Sequence, residues 1–254
     1  MHFPRTSLRR TTTAMAMVCA FGIVGTPARA GDNPGYDRPG LGFTPAVLQA
    51  GEVTWEQGLP DWSHAGGASL YTADTSLRVG IGGPFELHLG SSYNRLSTPT
   101  TTAWGRGDSS IGLKFALPAS GKLSWGLLGN VTFTDGARAL RGDNRQYLLG
   151  AVFNWQATPR DSLGAYLETV RSGGRNDQLV ALHAGRALDD SVGVYAEAAW
   201  QHSATDGSGS MAGAGLAWQA TPRVQLDASF RHRLGGVADD WQAGLGVSVY
   251  FGRL

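Results

Sequence analysis

From Gly51 onward one pattern recurs: apolar and polar residues alternate in segments of about ten residues. A tilted strand needs roughly that length to cross a hydrocarbon layer. Near the C-terminus, Trp241, Ala243, Leu245, Val247, Val249 and Phe251 share one face, and Gln242, Gly244, Gly246, Ser248 and Tyr250 the other. Upstream, Val224, Leu226, Ala228 and Phe230 oppose Gln225, Asp227, Ser229 and Arg231. Ile111, Leu113, Phe115 and Leu117 likewise oppose Ser110, Gly112, Lys114 and Ala116. Twelve strands are expected, at 51–57, 70–81, 84–93, 108–117, 122–133, 145–157, 161–171, 178–187, 190–202, 210–220, 223–231 and 240–252. No stretch after Gly31 has sustained helical periodicity.

A soluble β-sandwich also alternates, so the period alone does not decide. The polar face is mostly Gly, Ser, Asn and Gln with isolated charges, unlike a solvated Lys/Glu face. Trp104, Trp125, Trp155, Trp200, Trp218 and Trp241 fall near strand ends, where interfacial girdles form. Short connections, such as Gly82-Gly83-Pro84 and Thr221-Pro222, alternate with longer ones at 59–69, 94–107, 134–144, 172–177, 203–209 and 232–239. Together these predict an all-β fold: a transmembrane antiparallel up-and-down β-barrel of about twelve strands, with both ends on the periplasmic side. Closure leaves no backbone edge in lipid. The run Trp155-Gln156-Ala157-Thr158-Pro159-Arg160 returns as Trp218-Gln219-Ala220-Thr221-Pro222-Arg223, which predicts equivalent hairpin corners.

Residues 1–30 follow a different rule. Arg5, Arg9 and Arg10 precede the apolar stretch Ala14–Val24, and Ala28-Arg29-Ala30 supplies a small–x–small cleavage pattern. The apolar run is too short to span a bilayer, so 1–30 reads as a cleaved secretory signal. Its removal leaves 17 of the 21 basic residues and all 20 acids, a net charge of about −3 in place of +1. The basic balance that would suit nucleic acid disappears. The single cysteine, Cys19, leaves too, and with it disulfide and thiol chemistry. Residues 31–50, rich in Gly and Pro, form either a periplasmic lead or a plug, and 51–254 the outer-membrane barrel.

Strand parity places Glu56, Arg78, Glu86, His88, Asp108, Lys114, Glu168, Glu197, Asp227 and Arg231 on the inward face, with His183 a further candidate. Glu56, Arg78, Glu86 and Lys114 come from successive early strands and can pair as a ladder, since buried charges need partners. Such a lining serves either to select solutes in a narrow pore or to pack the lumen. No cofactor, metal site or catalytic group is expected. His64, His88, His183, His202 and His232 lack local ligand spacing. His202 and His232 fall on the outward parity near Ser203, Ser208 and Ser210, the ingredients of a remote alternative, a membrane-embedded lipid-modifying hydrolase.

Asp37-Arg38-Pro39-Gly40, followed by Gly51-Glu52-Val53-Thr54-Trp55-Glu56-Gln57-Gly58, resembles the MetA-pathway phenol-degradation family of proteobacterial outer-membrane transporters. Two more stretches fit: Leu77–Gly80 with Phe85–Gly90, and Gly107–Lys114. The resemblance covers residues 37–117 and brings no catalytic residues. It implies passage of aromatic or other small hydrophobic compounds. With the barrel pattern and polar lumen, it gives the leading expectation of a passive outer-membrane channel or transporter for small molecules, not an enzyme. The alternative is a structural or surface-interaction barrel with a blocked lumen. Expected partners are outer-membrane lipid and lipopolysaccharide, the barrel-assembly machinery and a small-molecule solute, and no nucleic acid.

Overall fold

A computed structural model describes residues 33–253. The expected signal at 1–30 lies outside them. Fourteen strands follow one another: β1 (Glu52–Gly58), β2 (Asp61–Ala65), β3 (Ala68–Gly82), β4 (Phe85–Ser97), β5 (Thr102–Arg106), β6 (Ser110–Ala116), β7 (Leu123–Thr132), β8 (Gln146–Gln156), β9 (Asp161–Ser172), β10 (Arg175–Ala187), β11 (Val192–Ser203), β12 (Gly207–Thr221), β13 (Val224–Gly236) and β14 (Trp241–Arg253). All pairings are antiparallel; chain neighbours pair except β1 with β2 and β5 with β6, and the sheet closes where β1 and β2 both pair with β14.

The wall nevertheless has twelve staves. β1 and β2 share the same neighbours, β3 and β14, and are one stave interrupted at Leu59-Pro60. Proline has no N–H for the ladder. β5 and β6 both pair with β4 and are one stave broken at residues 107–109. The count agrees with the periodicity, but the connections need correction. Segments expected as loops at 59–69 and 94–107 are largely strand. Those at 172–177 and 203–209 close into tight turns, and β13 runs on to Gly236. Gly66-Gly67 and Gly173-Gly174, each with two positive φ angles, make two-residue hairpins whose twist matches the strands they join. The connection at 133–145 remains a long loop.

The outward face carries exposed apolar side chains, among them Leu89, Leu113, Leu149, Leu167, Leu182, Leu216 and Leu245. In a soluble protein such a continuous band would be a liability; in lipid it is the solvated surface. Trp155 and Trp218 sit near one rim, and Trp104, Trp200 and Trp241 near the other, all exposed. The repeated corner keeps its bonds in both copies. Gln156 Nε2 donates to Thr158 O at 2.8 Å, and Gln219 Nε2 to Thr221 O at 2.9 Å.

Residues 33–50 run inside this wall. Tyr36 to Pro45 are all buried. The chain leaves the lumen at Gln49–Gly51, where Gly51 N bonds Gly80 O at 2.9 Å. It passes so close to β3 that a Cβ on Gly80 would lie 1.9 Å from Gln49 O.

Candidate functional site

The lumen has two unlike sides. On β1, β3, β4 and β6, alternate inward positions carry Glu56, Arg78, Glu86, His88 and Lys114. On β7 to β12, the inward positions Leu128, Val152, Tyr166, Leu179, Ala181, Ala199 and Met211 form an apolar cluster. The buried N-terminal segment fills the space between them.

Arg78 is the hub of the charged side. Its Nε lies 2.7 Å from Glu86 Oε1 and its Nη1 2.9 Å from Glu56 Oε1. Asp37 of the inner segment approaches the same guanidinium at 3.2 Å, and Nη1 also donates to Gly35 O. Lys114 Nζ lies 2.9 Å from Glu86 and 3.2 Å from Asp37. His88 Nε2 meets Glu86 Oε1 at 2.7 Å. Every charged group here except His88 is essentially inaccessible. Each buried charge therefore needs its partner, because several kcal/mol per ion of lost hydration must be offset. Asp37, Glu86 and His88 hold ligand atoms within 4.8 Å of one another, the spacing of a metal site. Arg78 and Lys114 already supply the positive charge that an ion would bring.

The carboxylates also grip the inner segment by its backbone. Asp37 N and Arg38 N donate to Glu56 at 2.9 and 2.8 Å. Leu41 N donates to Glu197 at 2.9 Å and Leu48 N to Glu86 at 2.7 Å. Across the lumen, Arg38 makes a two-pronged contact with Asp61 at 2.8 Å and reaches Asp227 at 3.3 Å. Gln225 Nε2 donates to Arg38 O, and Tyr36 OH to Arg223 O.

The sequence-derived residues thus fall in different places. Glu56, Arg78, Glu86, His88 and Lys114 form one cluster. Glu197 pairs with Arg231 at 2.7 Å, and Asp227 with Arg38. Glu168 accepts from Tyr166 OH at 2.6 Å, and His183 is buried over Gly164. Asp108 departs from the inward ladder. It sits in the break between β5 and β6, where parity no longer applies, and accepts from Gly136 N and Gly142 N in the long loop. Asp37, Arg38, Phe43 and Asp61 were not among the parity residues. The inward set held six acids against Arg78, Lys114 and Arg231, and that imbalance was a signal of donors still to be found.

Above Arg38–Leu41 lies a cavity of about 220 Å³. Glu168, Val170, Leu179, Met211 and Arg231 wall it, and Asp177, Asp206 and Asp239 belong to its rim. Burial pushes the Asp239 carboxyl up. On the same rim, His202 Nδ1 meets Ser208 Oγ at 3.0 Å, and His232 Nδ1 meets Asp240 O at 2.8 Å. These rings rest against Trp200 and Trp241.

Residues 36–251 match the family model described as "Putative MetA-pathway of phenol degradation". The chain belongs to this family. The match takes in the inner segment and nearly the whole wall of the MetA-pathway protein. No curated protein matches it. Among solved structures, the COG4313 outer membrane channel from Pseudomonas putida F1 is similar at 11% identity and TM-score 0.63, over 81% of this chain and 97% of that one. The NanC porin has 9% identity and TM-score 0.54, over 78% and 98%. The KdgM porin in complex with disordered oligogalacturonate has 8% identity and TM-score 0.55, over 79% and 99%. At such identities these likenesses speak for the barrel fold alone.

Proposed function

We propose that the protein is an outer-membrane channel for small molecules, aromatic or otherwise apolar ones among them, and that residues 33–50 stopper it. In this reading, residues 1–30 are the cleaved secretory signal, and the wall faces outer-membrane lipid and lipopolysaccharide after insertion by the barrel-assembly machinery. The observation that carries the proposal is the width of the lumen. Twelve staves enclose room for an additional length of chain, and Tyr36–Pro45 occupy it fully buried. Once that segment moves, an equal volume is free for solute. The cavity above it supplies a mouth with apolar and acidic walls. The family description supports aromatic solutes.

One observation favours a second reading, a permanently blocked structural barrel. The segment is tied by buried ion pairs as well as by packing. Conductance in planar bilayers separates the two. The whole chain is expected to conduct rarely, and a chain lacking residues 33–48 to conduct steadily. Silence from both, with the barrel folded, would leave the structural reading.

A further inference from the structure

Phe43 is 1% exposed and sits at the centre of the apolar side. Its ring meets Tyr166 edge to face, with centroids 5.9 Å apart and planes at 84°. Lys114 Nζ stands 5.9 Å from its centroid. Beneath the ring the wall has glycine on two neighbouring strands. A Cβ at Gly126 would lie 3.3 Å from Phe43 Cε2, and one at Gly150 3.3 Å from Cε1. Glycine weakens a strand, and its use there marks a close approach. Leu128 and Val152 complete the cradle. All these contacts address a ring, and none addresses the backbone that carries it. That backbone belongs to the inner segment, which the wall carboxylates hold through its N–H groups.

We propose that this cradle is a binding site for a small aromatic molecule, that Phe43 is its tethered occupant, and that the solute opens the lumen by displacing Phe43. The proposal rests on the passage reading above and assigns it a site and a trigger. The edge-to-face contact with Tyr166 and the Lys114 ammonium both respond to the ring's quadrupole, so an aromatic ring is favoured over a saturated ring of equal size. Leu41 belongs both to the apolar cluster and to the lining of the cavity. A solute in the cavity therefore meets Leu41 first and the cradle next. The solute binds only the cradle that Phe43 has left, so it multiplies the segment's opening constant by about 1 + [L]/Kd, a several-fold rise at a few times Kd with the segment's other holds unchanged.

Chymotrypsin reads the displacement in the unmodified protein, because cleavage after Phe43 requires the segment to leave the wall. In lipid vesicles, phenol is expected to speed that cleavage several-fold and cyclohexanol to leave it unchanged. Equal effects, or none from phenol, would overturn the proposal. In Phe43→Ala, phenol binding is expected to tighten by roughly tenfold, as removal of a tethered competitor implies, and Gly126→Ala added to it should abolish the gain. A Phe43→Ala barrel that binds phenol no better than the parent, or a double variant that keeps the gain, would also overturn it. If phenol binds and frees the segment while the chain lacking 33–48 stays silent, the channel reading fails and the ring site stands. If that chain conducts and phenol neither binds nor frees the segment, only the ring site fails.

Discussion

Replacing Arg78 by Met tests whether the inner segment is held mainly by buried charge. Arg78 faces Asp37, Glu56 and Glu86 at 2.7–3.2 Å and has no solvent contact. Leaving His88 aside, the cluster has three acids and two bases, Arg78 and Lys114, so one negative charge is in excess. Without Arg78 the excess is two. Removing one partner of a buried pair costs about 3–5 kcal/mol. That cost applies while the segment is seated and the carboxylates are dry; opening admits water and relieves it. Inside the lumen the segment keeps four backbone N–H bonds to wall carboxylates, from Asp37, Arg38, Leu41 and Leu48, besides Gln49 N to Glu52 at its exit. At about 1.5–3 kcal/mol for each bond to a charged acceptor, the four contribute roughly 6–12 kcal/mol. The retained bonds outweigh the penalty, so Arg78→Met should stay mostly closed. Since about 1.4 kcal/mol is a factor of ten, its opening constant should rise roughly a hundred- to a few-thousand-fold. Single-channel recording measures this as opening frequency, with heat-dependent gel mobility reporting whether the wall is intact. Adding Glu86→Gln returns the excess charge to one and should recover most of the closure. Unchanged openings in Arg78→Met, or a double variant that opens more than the single one, would refute the reasoning.

Gly80→Ala places a methyl 1.9 Å from Gln49 O and 2.6 Å from Leu48 O; such overpacking costs about 1–3 kcal/mol, and faster proteolysis of residues 36–48 should report it. Leu182, mid-strand in β10 and 62% exposed, faces the hydrocarbon centre, so Leu182→Arg should cost about 2–4 kcal/mol in urea unfolding from vesicles. Leu234, equally outward at 66% exposed but near the far end of β13, should cost only about 0–1 kcal/mol on the same change; equal costs would undo the assigned depth. In the long loop, the Ser109 N–H and hydroxyl together with Arg106 hold the Asp135 carboxyl down at about 2, from an ordinary 3.8. A depressed folded value means the ordering is complete above the unfolded pKa and is lost as pH falls from 3.8 to about 2. Amide exchange across 133–145, corrected for the intrinsic rate, should therefore be slow at pH 5 and fast below pH 2, and Asp135→Asn should be fast at both.

What the sequence disclosed was whatever a strict period of two controls. Glu56, Arg78, Glu86 and Lys114 sit on uninterrupted strand, and there parity predicts the face of each residue. Asp108 lies two residues beyond β5 and two before β6, and a break of three residues dissolves the parity that placed it. The two interrupted staves look like loops by periodicity for a related reason. The outward residues are Trp62 and His64 in β2 and Thr102, Trp104 and Arg106 in β5, aromatic or polar groups that suit a rim rather than the hydrocarbon, so amphipathic alternation fades there. The inner segment obeys no period at all. Its ten buried residues are specified by carboxylates that bind any N–H, by an Arg38 that answers Asp61 and Asp227, and by two glycines that admit one ring. These are pairwise matches between residues up to 207 positions apart, as with Arg38 and the Leu245 carbonyl. A lone sequence shows such a match only as an unbalanced account: six inward acids, three inward bases, and a Gly/Pro-rich stretch that carries an Asp and an Arg. The same imbalance explains why a segment without secondary structure can be the best-buried part of the molecule. The wall carboxylates were left short of donors, and the N-terminal segment supplies them through its backbone N–H groups, while its Asp37 and Arg38 cancel in net charge and each meets buried wall groups of opposite sign.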